Sequence, residues 1–253
     1  MPTWWIYPVA IAFIASVLIT DIVRTIAKRY QIVDRPNEER KRHLGAIPQL
    51  GGIAIFLAFS IPTIVVLSST GYFTSGDIDL VHLLGFLVGG LILVAGGVLD
   101  DKFDLPAKIT VLFPIAAALT AALVGIGPSK ITNPMGGVFE IGAWISFVFT
   151  FVWLLGMIYT TKLLDGLDGL ATGVTSIGTL MIAFLALSVA YFQPYLALLS
   201  LIAFAALLGF LLCNLHPAQI FLGEGGSTYV GYLLGGLAII GGSKVATALL
   251  VVG

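Results

Sequence analysis

Residues 85–104 read GFLVGGLILVAGGVLDDKFD, an apolar run that ends abruptly in a cluster of aspartates. With its flanks the run is long enough, at about 20 residues, to cross the hydrocarbon core of a bilayer as a helix. The composition agrees, because 58% of the 253 residues are hydrophobic, 10% are charged and the mean hydropathy is +1.07. A soluble domain carries about 25% charged residues. The sequence therefore predicts an integral membrane protein of the all-α class.

Apolar stretches of similar length recur along the chain and are separated by short connections. They predict one polytopic helical bundle, a single domain over residues 1–253, with about eight membrane-spanning helices. The first stretch is interpreted as a retained helix, since residues 1–20 show neither a positive leading segment nor a small-residue cleavage site. The predicted spans are residues 4–26, 50–68, 80–99, 107–125, 139–158, 171–191, 195–213 and 228–250.

The distribution of lysine and arginine predicts the orientation, because positively charged short loops stay in the cytoplasm. Lys130 lies in a loop on one side, whereas most basic residues fall in connections on the other side. We therefore predict a multi-pass protein of the plasma membrane with its N-terminus outside. Those basic residues are Arg24, Lys28, Arg29, Arg35, Arg40, Lys41, Arg42, Lys102, Lys108 and Lys162.

The cysteine count and the pattern of basic residues limit the possible cross-links and partners of the chain. The single cysteine, Cys213, excludes a disulfide or a cysteine metal site within one chain. No basic stripe with interleaved aromatic residues suggests a nucleic-acid partner. The lipid bilayer is the one partner that composition alone predicts, and a homodimer remains open.

The first group of acidic residues is DDKFD, residues 100–104, which follows an apolar run and precedes Pro106. Asp100 and Asp101 are adjacent, and like charges a few ångströms apart raise the pKa of one of them unless a cation is bound. A divalent ion or a shared proton would relieve this repulsion. The alternatives are a solvated acidic turn, or ion pairs with Lys102 and Lys108.

The second group lies in LLDGLDGLATG, residues 163–173, where Asp165 and Asp168 are three residues apart. Carboxylates at this spacing share one face if the segment is helical. Gly166 and Gly169 follow them and let the backbone approach a ligand closely. The alternative is an aspartate that caps the helix predicted from residue 171.

The third group lies in HPAQIFLGEGGS, residues 216–227. Glu224 stands between glycines beside a predicted span, and an ionised group near membrane depth is costly unless it binds something. His216, taken alone, is interpreted as a capping or interface residue. The predicted topology brings this segment and both aspartate groups to one face of the membrane.

The loop RPNEERKRHLGAIPQLGG, residues 35–52, adds positive charge to the same face. Taken alone, its basic residues are typical of an anchor on anionic lipid. Together with carboxylates suited to Mg2+ and glycines suited to a phosphate-bearing ligand, they indicate a site for phosphorylated substrates.

The four ordered motifs RKRHLGAIPQLGG, DDKFDLPAK, DGLDGLATG and HPAQIFLGEGGS closely resemble the polyprenyl-phosphate N-acetylhexosamine-1-phosphate transferase family, glycosyltransferase family 4. The resemblance covers roughly residues 35–236. The form of the first loop is similar to the branch that uses UDP-N-acetylglucosamine. The branch that uses UDP-N-acetylmuramoyl-pentapeptide, whose loop reads TPTMGG, is the alternative.

The resemblance implies that a sugar 1-phosphate moves from a UDP-N-acetylhexosamine to a polyprenyl phosphate such as undecaprenyl phosphate, with release of UMP. It implies Mg2+, or Mn2+, as the cofactor and an active site on the cytoplasmic face. Such a reaction joins two anions, so charge neutralisation and alignment dominate its catalysis.

The resemblance also assigns roles to individual residues. Asp100 would act as the base toward the lipid phosphate, or as a covalent nucleophile in a two-step scheme, with Asp101 supporting it. Metal ligands would be Glu224, Asp101 and Asp165. The nucleotide sugar would contact Asp165, Gly166, Asp168 and Lys162, and the phosphate or lipid headgroup would contact Lys41 and His43.

The chain departs from the family pattern at three places. Glu224 stands where the family usually has aspartate, and Tyr159 and Lys162 stand where it has asparagines, so that Lys162 supplies a cation instead of an amide. The chain ends at Gly253, before the family's histidine-rich cytoplasmic loop, and we expect it to be incomplete at its C-terminus.

Two other classes of membrane protein also carry acidic residues near or within the membrane. An ion-coupled secondary transporter would place carboxylates within the membrane but predicts two related halves with broken helices, and no such symmetry is seen. A CDP-alcohol phosphotransferase predicts an Asp-Gly followed two residues later by Ala-Arg, which the chain lacks.

Overall fold

The computed structural model describes residues 2–34, 45–70, 72–74, 79–128, 130–132, 138–188 and 192–240, most of which are helical. Short 3-10 turns lie at Thr3–Trp5 and Tyr72–Thr74. In chain order the α-helices are α1 (Ile6–Arg29), α2 (Gly51–Thr70), α3 (Leu80–Phe103), α4 (Ala107–Thr110), α5 (Leu112–Leu123), α6 (Ala143–Leu164), α7 (Leu170–Leu187), α8 (Pro194–Asn214) and α9 (Gly223–Ile240).

The predicted bundle of apolar helices is confirmed. Within the described residues six helices are long and apolar enough to cross a membrane, namely the segment Thr3–Arg29 and helices α2, α3, α6, α7 and α8. The span predicted over residues 107–125 is instead the short helix α4 followed by α5. The number of spans and the side of the N-terminus stay predictions.

The outward faces of the peripheral helices are apolar, as lipid contact requires. In α1 the exposed side chains include Ile14, Leu18 and Ile22, which recur once per turn. In α6 they include Ile145 and Val152. These stripes fit a chain embedded in the bilayer.

Helix α9 is the centre of the bundle and contacts α2, α3, α6, α7 and α8. Its N-terminus approaches two neighbours at glycine pairs. A Cβ on Gly97 of α3 would lie 2.0 Å from the Cα of Gly225, and a Cβ on Gly52 of α2 would lie 2.5 Å from the backbone nitrogen of Gly226. Glycine is required at such contacts because the helix backbones touch directly.

This packing corrects one reading of the GEGG segment. The sequence suggested a glycine frame for a ligand and a helix from residue 228, but α9 already begins at Gly223 and two of its glycines serve helix contacts. Glu224 therefore lies in the first turn of a helix, close to the end of α3.

Two short antiparallel ladders, absent from the sequence prediction, join the helices. Strands β1 (Val33–Asp34) and β2 (Ile47–Pro48) pair near the end of α1, and β3 (Lys130–Thr132) pairs with β4 (Val138–Glu140) before α6. The class is otherwise all-α, as predicted.

Candidate active site

The adjacent carboxylates at the end of α3 have different partners. Asp100 Oδ1 accepts a hydrogen bond of 2.6 Å from the hydroxyl of Thr110 on α4. Asp101 Oδ1 accepts the backbone N–H of Glu224 at 3.0 Å. This N–H belongs to the first turn of α9, where unpaired amide groups favour an anion. Asp101 thus joins the end of α3 to the start of α9.

Glu224 forms an ion pair across the bundle with Lys162, which lies in the last turn of α6. Lys162 Nζ is 2.5 Å from Glu224 Oε1, and the side chains are 37% and 18% exposed. The sequence predicted both residues as parts of the site but did not predict their contact.

Asp165 directly follows α6 and belongs to the same cluster. The pKa of Asp165 is raised to about 7, mainly by burial and to a smaller extent by the nearby carboxylates of Glu224 and Asp101. The structure therefore gathers Asp101, Asp165 and Glu224 closely enough for their charges to interact.

We expect Asp165→Asn to stabilise the metal-free chain progressively as the pH rises from 5 to 8. The folded-state pKa is raised above the unfolded value, so ionisation destabilises the folded chain, and that cost grows until the pH passes about 7. Asparagine removes the cost. Thermal unfolding in detergent with EDTA measures it, at roughly 2–4 °C per kcal/mol.

Asp21→Asn is the matched control, since the Asp21 side chain on α1 is 65% exposed. An equal rise in the unfolding temperature of Asp165→Asn at pH 5 and at pH 8 would contradict a carboxylate that becomes costly to bury as it ionises.

Asp168 has partners outside this cluster. Its Oδ2 lies 2.9 Å from His216 Nδ1 and accepts the backbone N–H of Ala218 at 3.1 Å. The segment after α6 is a turn and not a helix, so Asp165 and Asp168 do not share a face. The cap position of α7 is Gly169, without a side-chain cap bond, so the alternative of an aspartate cap is also wrong.

Asp168 instead fixes the connection between α8 and α9, residues 215–222. Arg24 of α1 donates a hydrogen bond to Gln219 in the same connection. Phe221 N–H donates to Pro48 of β2 at 2.8 Å, and Gly51 N–H donates to the Phe221 carbonyl at 3.0 Å. Four parts of the chain therefore hold the segment that leads into Glu224.

The connection is also held by a buried pair, Thr172 and Asn214, which the sequence did not predict. Thr172 Oγ1 donates to Asn214 Oδ1 at 2.9 Å, and Asn214 Nδ2 donates to the Ile220 carbonyl at 2.9 Å. Asn214 is 3% exposed. The available signal was an asparagine directly after an apolar span, a position where a polar side chain needs a partner.

Asn214→Ala is expected to lower the thermal unfolding temperature, because it leaves the Thr172 hydroxyl and the Ile220 carbonyl unpaired in a buried place. The cost is about 1–3 kcal/mol, or roughly 2–12 °C, measured in detergent. Thr172→Val removes only one of the two bonds and should cost less. Equal stability of Asn214→Ala and wild type would show that the connection is held without this pair.

The remaining residues predicted for the site add no further contact to the acidic cluster within the described part of the chain. Gly166 is exposed, with open space around it. Lys41 and His43 lie outside the described residues. Neither Lys102 nor Lys108 forms an ion pair within the described chain, and the Lys102 ammonium lies 5.0 Å from the centre of the Phe103 ring. Simple neutralisation of DDKFD by these lysines is therefore not what the structure shows.

Comparison with known proteins gives consistent matches. The family profile described as "Glycosyl transferase family 4" matches residues 83–242. A probable undecaprenyl-phosphate N-acetylglucosaminyl 1-phosphate transferase of Bacillus subtilis is 36% identical over 244 residues, which cover 94% of this chain and 64% of the relative. An undecaprenyl-phosphate alpha-N-acetylglucosaminyl 1-phosphate transferase of Thermotoga maritima is 32% identical over 227 residues, which cover 90% and 63%.

A decaprenyl-phosphate N-acetylglucosaminephosphotransferase of Mycobacterium tuberculosis is 31% identical over 233 residues, which cover 88% of this chain and 57% of the relative. The chain thus spans about three fifths of the length of these curated relatives.

Proposed function

The chain belongs to glycosyl transferase family 4, and we propose that it transfers N-acetylglucosamine 1-phosphate from UDP-N-acetylglucosamine to a polyprenyl phosphate. The relatives named above carry this activity in their names. The observation that carries the proposal is the meeting of Asp101, Asp165 and Glu224 at one end of the bundle.

In the proposed reaction an oxygen of the lipid phosphate attacks the β-phosphorus of the nucleotide sugar. The bond from that phosphorus to the bridging oxygen breaks, and UMP leaves with the electron pair. Both reactants are anions, so the protein's task is to align them and to balance their charge. Asp100, held by Thr110, is assigned as the base that keeps the attacking phosphate deprotonated.

The acidic cluster fits Mg2+ by its donor chemistry, since Mg2+ prefers carboxylate oxygens. Within the described residues no three His, Cys, Asp or Glu side chains are grouped as a complete metal site. Mg2+ usually takes one or two carboxylates and completes its shell with substrate phosphates and water. We therefore propose that Glu224, together with Asp101 or Asp165, would hold the ion, which would supply charge neutralisation on the diphosphate. Mn2+ would serve in the same place.

The site is assigned to the cytoplasmic face. Arg24 on α1, Lys102 on α3 and Lys162 on α6 lie at the same end of the bundle as the carboxylates, and basic residues favour the cytoplasmic side. UDP-sugars are water-soluble donors and must reach the membrane surface from that compartment.

A donor panel tests the proposal. The purified chain in detergent receives undecaprenyl phosphate, Mg2+ and one of UDP-N-acetylglucosamine, UDP-N-acetylgalactosamine, UDP-glucose or UDP-N-acetylmuramoyl-pentapeptide, and released UMP is measured. We expect UMP with UDP-N-acetylglucosamine that requires the lipid. Release only with the pentapeptide donor would favour the alternative branch, and no release with any donor would contradict the proposal for this chain.

A further inference from the structure

We propose that Lys162 is a built-in counter-cation of Glu224 that competes with the divalent ion for this carboxylate. The inference rests on the proposed function, in which Glu224 is a metal ligand. Its basis is the ion pair in which Lys162 Nζ lies 2.5 Å from Glu224 Oε1. This pair connects the end of α6 with the start of α9.

The position of Lys162 is fixed by the packing beneath it. Thr161 Oγ1 lies 3.1 Å from the Ser227 carbonyl oxygen and can donate to it, and a Cβ on Gly231 would lie 2.0 Å from the same hydroxyl oxygen. Two turns earlier in α6, Trp153 Nε1 donates to the Gly235 carbonyl at 3.1 Å. These contacts set the register of α6 against α9, so that the residue after Thr161 is directed at Glu224.

The charges around the pair explain why a cation is useful there. The carboxylates of Glu224 and Asp101 raise the cost of ionising Asp165, since like charges repel in a partly buried place. Within the described part of the chain, Lys162 is the lysine that forms an ion pair with this cluster. Lys102, at the same end of the bundle, lies over the Phe103 ring instead.

The consequence concerns metal affinity. A divalent ion that binds Glu224 must displace the Lys162 ammonium, or approach a positive charge only a few ångströms away. Lysine thus keeps the acidic cluster assembled in the metal-free chain and lowers its affinity for the metal. A lysine that only complemented the ends of the two helices would stabilise the fold without this competition.

Titration with Mn2+ alone tests the inference, with free Mn2+ followed by electron paramagnetic resonance in detergent at pH 7.5. We expect Lys162→Gln to bind Mn2+ at least about tenfold more tightly than wild type, because the competing charge is gone. Lys162→Arg keeps the charge and should stay within about twofold of wild type. Unchanged or weaker binding by Lys162→Gln would overturn the proposal.

Lys102→Gln is the matched control, because it removes one positive charge from the same end of the bundle but no contact with Glu224. It should change Mn2+ affinity by less than about twofold, since an exposed charge is well screened. A gain equal to that of Lys162→Gln would mean that net charge, and not the ion pair, sets the affinity, and would also overturn the proposal.

A second measurement uses the unaltered chain and does not depend on the folding of a variant. Reductive methylation of lysines is followed by mass spectrometry with and without Mn2+. We expect Mn2+ to increase the modification rate of Lys162, because its ammonium is released from Glu224, and to leave Lys102 unchanged. No increase at Lys162 would contradict displacement.

Neither measurement requires turnover, so the two proposals can fail separately. Tighter Mn2+ binding by Lys162→Gln in a chain that releases no UMP would keep the competition and reject the reaction. UMP release by the wild-type chain, together with an unchanged Mn2+ affinity of Lys162→Gln, would support the proposed reaction and reject the competition.

Discussion

Glu224→Ala is expected to lower Mg2+-dependent UMP release by about a hundredfold to a thousandfold, the usual cost of removing one group that balances charge in a transition state. Glu224 is 18% exposed, pairs with Lys162 and lies beside Asp101 and Asp165. Its removal takes away a proposed metal ligand and leaves Lys162 without its partner. Initial rates at saturating donor and lipid measure the loss.

Two further variants make the assignment specific. Asp100→Asn should lose a similar factor in rate but keep Mn2+ binding, since Asp100 is assigned as a base and not as a ligand. Asp21→Asn, an acidic side chain on α1 outside the cluster, should keep the wild-type rate. Wild-type turnover by Glu224→Ala would reject the site assignment.

Gly97→Ala is expected to destabilise the bundle and to abolish turnover. The added methyl would lie 2.0 Å from both the Cα and the backbone nitrogen of Gly225, and backbone atoms cannot rotate away as a flexible side chain can. Overpacking costs about 1–3 kcal/mol or more, or roughly 2–12 °C of thermal stability. Because Gly225 follows Glu224, the displacement also moves the carboxylate.

Gly156→Ala in α6 is the matched control, since nothing lies within 4 Å of its added methyl outside its own helix. Alanine is the better helix former by about 1 kcal/mol, so this variant should be as stable as wild type or more so. Equal thermal unfolding temperatures for the two variants would show that α3 and α9 do not touch as described.

The positions of the helices could be predicted because long apolar runs and lipid contact leave few alternatives to a helix. The placement of Asp101, Asp165 and Glu224 at one end of the bundle also followed from the sequence, since alternate connections of a helical bundle lie on one side. For these features the local hydrophobic pattern and the requirements of the bilayer predict the same structure.

Other features depended on contacts between distant parts of the chain. GEGG reads as a loop because glycine disfavours helices, yet α9 begins there, since Gly225 and Gly226 gain close packing against Gly97 and Gly52. No local rule predicts that Asp168 turns toward Ala218 and away from Asp165. Likewise, the pairing of Lys162 with Glu224 follows from the register of α6 against α9, which the sequence does not display.

In the proposed reaction the chain moves a sugar together with its phosphate. The most direct measurement uses UDP-N-acetylglucosamine labelled with ³²P at the β-phosphorus, with undecaprenyl phosphate as the acceptor and extraction of the lipid product. We expect the label in the lipid fraction and unlabelled UMP as the released nucleotide. Labelled UDP in the aqueous fraction, with no label in the lipid, would reject the proposed reaction, because the sugar would then have moved without its phosphate.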